Sequence, residues 1–327
     1  MAEGTYRQAL QQALREELIR DERVFLMGEE IGLFGGSYKI TDGLLQEFGE
    51  KRVRDTPISE EGFLGAGIGA AMGGLRPVVE IMTINFILIA MDQIVNNAAK
   101  IRYMFGGAIG VPMVIRTPGG AGVGLTAQHS QSLEVWFAST PGLIVVAPST
   151  PADAKGLLKA SIRSNDPVLF YEHLMLYNDK GEIPDEDYVV PIGKAEIRRP
   201  GKDLTMISHS LMTQRSLKAA EELERNHGIS AEVVDLRSLR PLDFDTIAAS
   251  VRKTNHVLCI EEGWLSYGIG AEIAARVADE CFDWLDAPVK RIGGAEVPMP
   301  YSKPLESAAM PSHERILEAA IRARRGS

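Results

Sequence analysis

Short β-branched apolar runs alternate along the chain with longer stretches whose apolar residues recur at helical spacing. Val24–Met27, Val78–Met82, Met113–Arg116, Leu143–Ala147 and Val168–Tyr171 read as strands. Tyr6–Ile19, Gly62–Leu75, Phe86–Met104, Ser130–Ser139 and Ala152–Arg163 read as helices. Runs this continuously apolar predict an α/β fold with a parallel sheet covered on both faces, since a solvated face would insert polar residues at every second position. The pattern lapses over residues 176–202, where Asn178-Asp179-Lys180-Gly181, Pro184-Asp185-Glu186-Asp187 and Arg199-Pro200-Gly201 gather turn formers and charge, so a linker is expected there. A second series follows, with strands at Leu204–Ser208, Ala231–Leu236 and Val257–Ile260 and helices at Gln214–Asn226, Phe244–Lys253, Ile269–Phe282 and Glu314–Ala323. Two domains are predicted, one over residues 1–175 and a smaller α/β domain over 203–327.

Composition narrows the function classes. The 327 residues, 45% of them hydrophobic, suffice for two cores. A net charge of −9 with no basic stripe argues against nucleic-acid binding and is compatible with a basic protein partner or with ordinary solubility. Cys259 and Cys281, one in a strand and one in a helix, do not form a disulfide framework, and a reduced, cytoplasmic setting is expected. Glu3, Glu16 and Glu17 among the first residues are wrong for a secretory signal, and no apolar run approaches membrane-spanning length, so no membrane association is expected.

The chemistry concentrates around Arg54-Asp55-Thr56-Pro57-Ile58-Ser59-Glu60-Glu61-Gly62-Phe63, where a strand ends and delivers a carboxylate to a glycine- and alanine-rich helix. Beside apolar Ile58 and Phe63, Glu60 would be partly desolvated and suited to acid-base work. Capping by Ser59, with Glu60 and Glu61 complementing the helix dipole, explains the same residues without catalysis. Gly65-Ala66-Gly67-Ile68-Gly69-Ala70 matches a dinucleotide fingerprint but lies too far beyond the strand, and close helix packing accounts for it better. After a convincing strand, Pro118-Gly119-Gly120-Ala121-Gly122-Val123-Gly124 leads to Ala127-Gln128-His129-Ser130-Gln131, placing His129 just before an expected helix. A histidine there can exchange protons near neutral pH, or be structural. Phe86 opens a helix after a strand, near where open α/β sheets bind ligands, although core packing also explains it. His173, His209 and His256 show no metal spacing and read as structural.

The motifs Asp55-Thr56-Pro57-Ile58-Ser59-Glu60, Asn85-Phe86, Asp92-Gln93-Ile94, Arg102-Tyr103-Met104-Phe105-Gly106-Gly107, Ala127-Gln128-His129-Ser130-Gln131 and Pro141-Gly142-Leu143 occur in order. With Asp235-Leu236-Arg237-Ser238-Leu239-Arg240-Pro241, Glu261-Glu262-Gly263-Trp264 and Val297-Pro298-Met299-Pro300-Tyr301, the chain closely resembles beta subunits of thiamine-diphosphate-dependent 2-oxoacid dehydrogenases. The resemblance implies a transketolase-like pyrimidine-binding domain followed by a transketolase C-terminal-like domain. It implies that Glu60 hydrogen-bonds the aminopyrimidine of thiamine diphosphate and promotes its imino tautomer, that Phe86 and Ile58 contact the cofactor, that Glu29 joins a polar path, and that His129 lines the acyl-transfer channel. It further implies a potassium ion on the carbonyls of Met113, Ser161, Ile162 and Asp166. Asn85-Phe86 leans toward pyruvate as substrate, with acetyl transfer to a lipoyl group; acetoin and branched-chain 2-oxoacids are alternatives, as is a noncatalytic scaffold for an acyltransferase. The family's Gly-Asp-Gly segment, which anchors diphosphate and magnesium on the alpha subunit, is missing from this sequence. The expected partners are therefore an alpha subunit, in a heterotetramer of two alpha and two beta chains, and a dihydrolipoyl acyltransferase.

Overall fold

The computed structural model describes residues 2–326. The chain divides into two compact units, one running to Gly119 and resuming over Trp136–Ile192, the other comprising Gly120–Val135 and the chain from Gly193 onward.

In the first unit the elements run β1 (Ala2–Thr5), α1 (Tyr6–Arg20), β2 (Val24–Gly28), α2 (Leu44–Phe48), β3 (Val53–Asp55), α3 (Glu60–Met72) and β4 (Arg76–Glu80). After α4 (Ile101–Met104) and β5 (Val114–Gly119), the short helix α5 (Glu134–Ala138), whose first two residues belong to the second unit, precedes β6 (Ile144–Val146), α6 (Pro151–Arg163), β7 (Val168–His173) and β8 (Lys180–Ile183). Six strands form a parallel sheet in the order β6-β7-β5-β4-β2-β3. Local chemistry marks the helix starts. Thr5 and Gln8 form a capping box on α1, while Thr150 caps α6 with Pro151 in its first turn. Glycine spacing brings α3 close to the sheet: a Cβ on Gly67 would stand 2.8 Å from the Val79 side chain.

The second unit contains β9 (Glu196–Arg199), β10 (Leu204–Ser208), α7 (Leu211–His227), β11 (Ala231–Asp235), β12 (Ser238–Arg240), α8 (Phe244–Thr254) and β13 (Val257–Trp264). These are followed by α9 (Ile269–Glu280), β14 (Lys290–Gly294), α10 (Lys303–Ala309) and α11 (His313–Arg325). Its sheet has the order β14-β13-β10-β11-β9, parallel except for β9.

Besides short elements with no counterpart in the sequence pattern, such as α2, β14 and α10, several stretches depart from the expected structure. The span 86–104 is not one helix but a 3-10 turn at Phe86–Ala90, a π-helical stretch at Gln93–Ala98 and α4. The adjacent Asn96 and Asn97, weak helix formers, bond to Asp92 and Gln93 where the wide turns occur. The helix expected from Ser130 begins only at Glu134, because the preceding backbone is tied elsewhere: Gly120 donates to the Gln131 carbonyl and Ser132 Oγ to Glu262. The segment expected as a linker carries two strands: β8 pairs antiparallel with β1, and β9 edges the second sheet beside β11. Turn formers occupy its loops and leave Lys180–Ile183 and Glu196–Arg199 free to satisfy their backbone groups by pairing.

Candidate active site

The parallel strands of the first unit end in register, with Gly28 beside both Asp55 and Glu80. The loops leaving these ends carry Glu29 after β2, Glu60 after β3 and Phe86 after β4. An open parallel sheet binds its ligands along this edge.

Glu60 is the first residue of α3 and is 5% exposed, while Ser59 makes no side-chain capping bond. The capping account therefore loses its hydrogen bond. Ile58 is 84% exposed and does not desolvate Glu60, contrary to the sequence reading; Phe63 is buried. Glu29 is also buried, and its Oε1 has no hydrogen-bond partner among the described residues. Burial pushes the Glu29 carboxyl upward from its ordinary value, and the charges of Glu60, Glu30 and Glu80 push in the same direction. Two buried carboxyls, Glu29 in the field of Glu60 and with an oxygen that has no hydrogen-bond partner among the described residues, suit a ligand whose heterocycle exchanges a proton and accepts or donates hydrogen bonds. The aminopyrimidine of thiamine diphosphate has that chemistry. Phe86 is half-buried on a turn packed against α3.

Behind this edge lies a charge cluster not anticipated from the sequence. Fully buried Arg116 on β5 bonds to Glu80 on β4 and to Glu172 on β7, and Tyr177 Oη donates to Glu172 at 2.6 Å. Burial opposes the guanidinium charge, but Glu172 and Glu80 outweigh it and raise the arginine pKa. The signal was present as charged residues inside apolar strand runs, with Glu80 directly opposite Arg116 in register.

Met113, Ser161, Ile162 and Asp166 occupy the opposite edge of the sheet, before β5 and β7 and at the end of α6, and do not adjoin Glu60. Each carbonyl accepts a protein hydrogen bond: Met113 from Val168 N, Ser161 from Ser164 N, Ile162 from Arg76 Nη1 and Asp166 from Ser164 Oγ. A carbonyl has two lone pairs, so one such bond does not by itself bar a carbonyl from a hard cation.

His129 belongs to the second unit, half-buried in the loop before α5 rather than at a helix start. In the same unit His209 Nε2 lies 2.9 Å from Glu134 Oε1, and both are buried. Burial disfavours the imidazolium of His209, yet the hydrogen bond and charge of Glu134, with Glu261 and Asp235, raise its pKa. Desolvation pushes the nearby Glu261 carboxyl up to about 7. The sequence reading of His209 as structural did not anticipate this acid cluster, because its members are far apart in the chain.

Comparison with known proteins extends this picture. Residues 2–180 match the transketolase pyrimidine binding domain and residues 193–316 the transketolase C-terminal domain. A split-gene transketolase described as an inactive beta4 tetramer shares the fold with a TM-score of 0.81 at 22% identity, covering 98% of this chain and 99% of that one. A Pichia stipitis transketolase shares it at 0.70 and 14% identity, covering 99% of this chain and 46% of that one. The class is thus the two-domain transketolase fold.

Among sequence relatives, subunit beta-1 of the mitochondrial pyruvate dehydrogenase E1 component of Arabidopsis thaliana is 54% identical over 325 residues, covering 98% of this chain and 89% of its own. The corresponding beta subunit of Rhizobium meliloti is 51% identical over 320 residues, covering 98% and 69%. The chain belongs to the family of pyruvate dehydrogenase E1 component beta subunits.

Proposed function

We propose that this chain is the beta half of a pyruvate-decarboxylating component that works with an alpha subunit and passes the acetyl group to the lipoyl group of a dihydrolipoyl acyltransferase. The observation that carries the reading is the buried Glu60 at the strand-end edge, with the unpartnered oxygen of Glu29 in its field. When bound, thiamine diphosphate supplies the nucleophile and the electron sink for attack at the 2-oxo carbon and loss of carbon dioxide. Glu60 would hydrogen-bond the aminopyrimidine ring nitrogen of the bound cofactor. Glu29, kept toward its neutral form by burial, would join a polar path leading from that ring. Phe86 would pack on the ring, Ile58 would contact the cofactor from its exposed position, and His129 would transfer a proton at the substrate or acyl group.

Residues 1–175 are the cofactor-binding domain in this reading, 203–327 the C-terminal domain and 176–202 the connection. The diphosphate and magnesium are assigned to the alpha subunit, in an assembly of two alpha and two beta chains. The carbonyls of Met113, Ser161, Ile162 and Asp166 hold a structural potassium ion. The two cysteines are free and buried, in keeping with a reduced, cytoplasmic setting, and no helix among the described residues is long and apolar enough to cross a membrane.

The test is reduction of an artificial electron acceptor by the chain with and without its alpha partner, with thiamine diphosphate and magnesium, comparing pyruvate, 2-oxoisovalerate and acetoin. Pyruvate turnover that requires alpha and falls by about 10²-fold or more in Glu60→Gln supports the reading. Robust turnover by the chain alone overturns the half-site assignment, and preference for acetoin or 2-oxoisovalerate moves the substrate.

A further inference from the structure

Residues Gly120–Val135 form an excursion, set between strand β5 and the return of the chain to the first unit, that packs with the second unit. Its glycines give it high backbone freedom: Gly120, Gly122 and Gly124 all have positive φ, and Thr126 adopts a φ of 67°. Left to itself, such a loop would sample many conformations. Two buried carboxylates of the second unit restrain it. Glu306 on α10, 3% exposed, accepts at a single oxygen from Gly122 N at 2.8 Å and Gly124 N at 3.1 Å. Glu262 on β13, also buried, accepts from Ala121 N at 2.8 Å and from Ser132 Oγ at 3.0 Å, so one oxygen ties the start of the excursion to its return. Gly120 N donates to the Gln131 carbonyl at 3.1 Å and closes the base, while His129 N donates to the Thr126 carbonyl at 3.2 Å. Just beyond, Glu134 bonds to His209.

We propose that Glu306 and Glu262 are positioning residues: through four charge-assisted bonds they hold the glycine loop in the one conformation that presents His129 to the reacting group. The physical warrant is cost. A buried carboxylate is expensive to desolvate, and here four of the compensating hydrogen bonds come from a loop that carries a proton-transfer candidate, with the charge of Arg215 acting on Glu262 as well. A misplacement of the order of an ångström at such a group lowers rate without weakening remote substrate contacts. The inference rests on His129 acting as proposed above, and the experiment separates the two.

Complexes reconstituted with the alpha subunit are compared as wild type, Glu306→Ala, Glu306→Gln, His129→Ala and Glu306→Ala/His129→Ala. Measured quantities are kcat and KM for pyruvate with a lipoyl-domain acceptor. If His129→Ala turns over at the wild-type rate, the His129 reading fails, and the positioning proposal with it, whatever Glu306 does. If His129→Ala is slow, Glu306→Ala is expected to lose about 10²-fold in kcat with pyruvate KM held within about threefold. Glu306→Gln, which keeps an acceptor oxygen, should recover most of the loss, and the double variant should be no slower than His129→Ala alone. Additive losses in the double variant, or a wild-type kcat in Glu306→Ala, overturn the proposal. Should Glu306→Ala fail to fold, Ser132→Ala takes its place: a several-fold kcat loss that vanishes in the His129→Ala background supports positioning, and a loss that persists there overturns it.

Discussion

At the scale of single residues, burial decides what each acid or base can do. Arg116 is the clearest case: fully buried, it neutralises Glu80 and Glu172 together. Removing it leaves two buried carboxylates without their cation, so Arg116→Met is expected to destabilise the chain by about 3–5 kcal/mol in urea denaturation. Adding Glu172→Gln should restore part of the loss. The Glu261 carboxyl follows a different logic. In the folded chain it keeps its proton up to about pH 7, whereas its ordinary value is 4.5. Its stabilising contribution is therefore full below that ordinary value and is lost as pH rises through the folded value, amounting to about 3 kcal/mol. His209, raised above 6.5, changes stability in the same direction at the upper end of that window. Denaturation of the wild type at about pH 5 and about pH 8 should show the fall, and Glu261→Gln should flatten much of it. An unchanged pH dependence in that variant would show that Glu261 is ionised throughout.

At the scale of elements, helices with strong local signals are where the periodicity put them, and those bent by tertiary contacts are not. Helices α1, α6, α8 and α11 each begin at a side-chain cap. The span 86–104 has the apolar period of a helix but not its regularity, since its asparagines bond locally and its first turn packs against α3. Strands β8 and β9 were hidden because pairing supplies their stability and their own side chains contribute little pattern. Gly142 shows how one residue can limit an element's position. With φ at 95° it sits against the end of the π-helical stretch, and an added Cβ would stand 2.0 Å from the Ala99 carbonyl oxygen. Gly142→Ala combines that clash with a left-handed backbone, and a loss of about 2–4 kcal/mol is expected in thermal or urea unfolding. A loss below about 1 kcal/mol would mean that the two backbones separate freely.

At the scale of the whole molecule, the proposed half-site and an uncovered apolar surface belong together. Leu33, Phe34, Ile58 and Ile89, on or near the loops leaving the sheet edge, are all more than half exposed, as suits a surface completed by another chain. Hydrogen exchange of the reconstituted complex should accordingly show residues 29–40 and 56–60 protected only when the alpha subunit is present; equal exchange in both forms would place the partner elsewhere. The alternation of strands and helices, the parallel first sheet and the candidates Glu60, Phe86 and His129 were legible in the residues, because continuous apolar runs demand two-sided burial and strand-end loops carry the unusual residues; Glu29 was a candidate through the family resemblance alone. Only tertiary structure could decide that Ile58 points to solvent while Glu60 is buried, that Glu80, Arg116 and Glu172 meet, and that Glu262 and Glu306 hold the loop of His129. Local sequence determines which face of an element is apolar. Which charged groups share a dry interior depends on strand register and on residues more than a hundred positions apart, and that information exists only once the chain has folded.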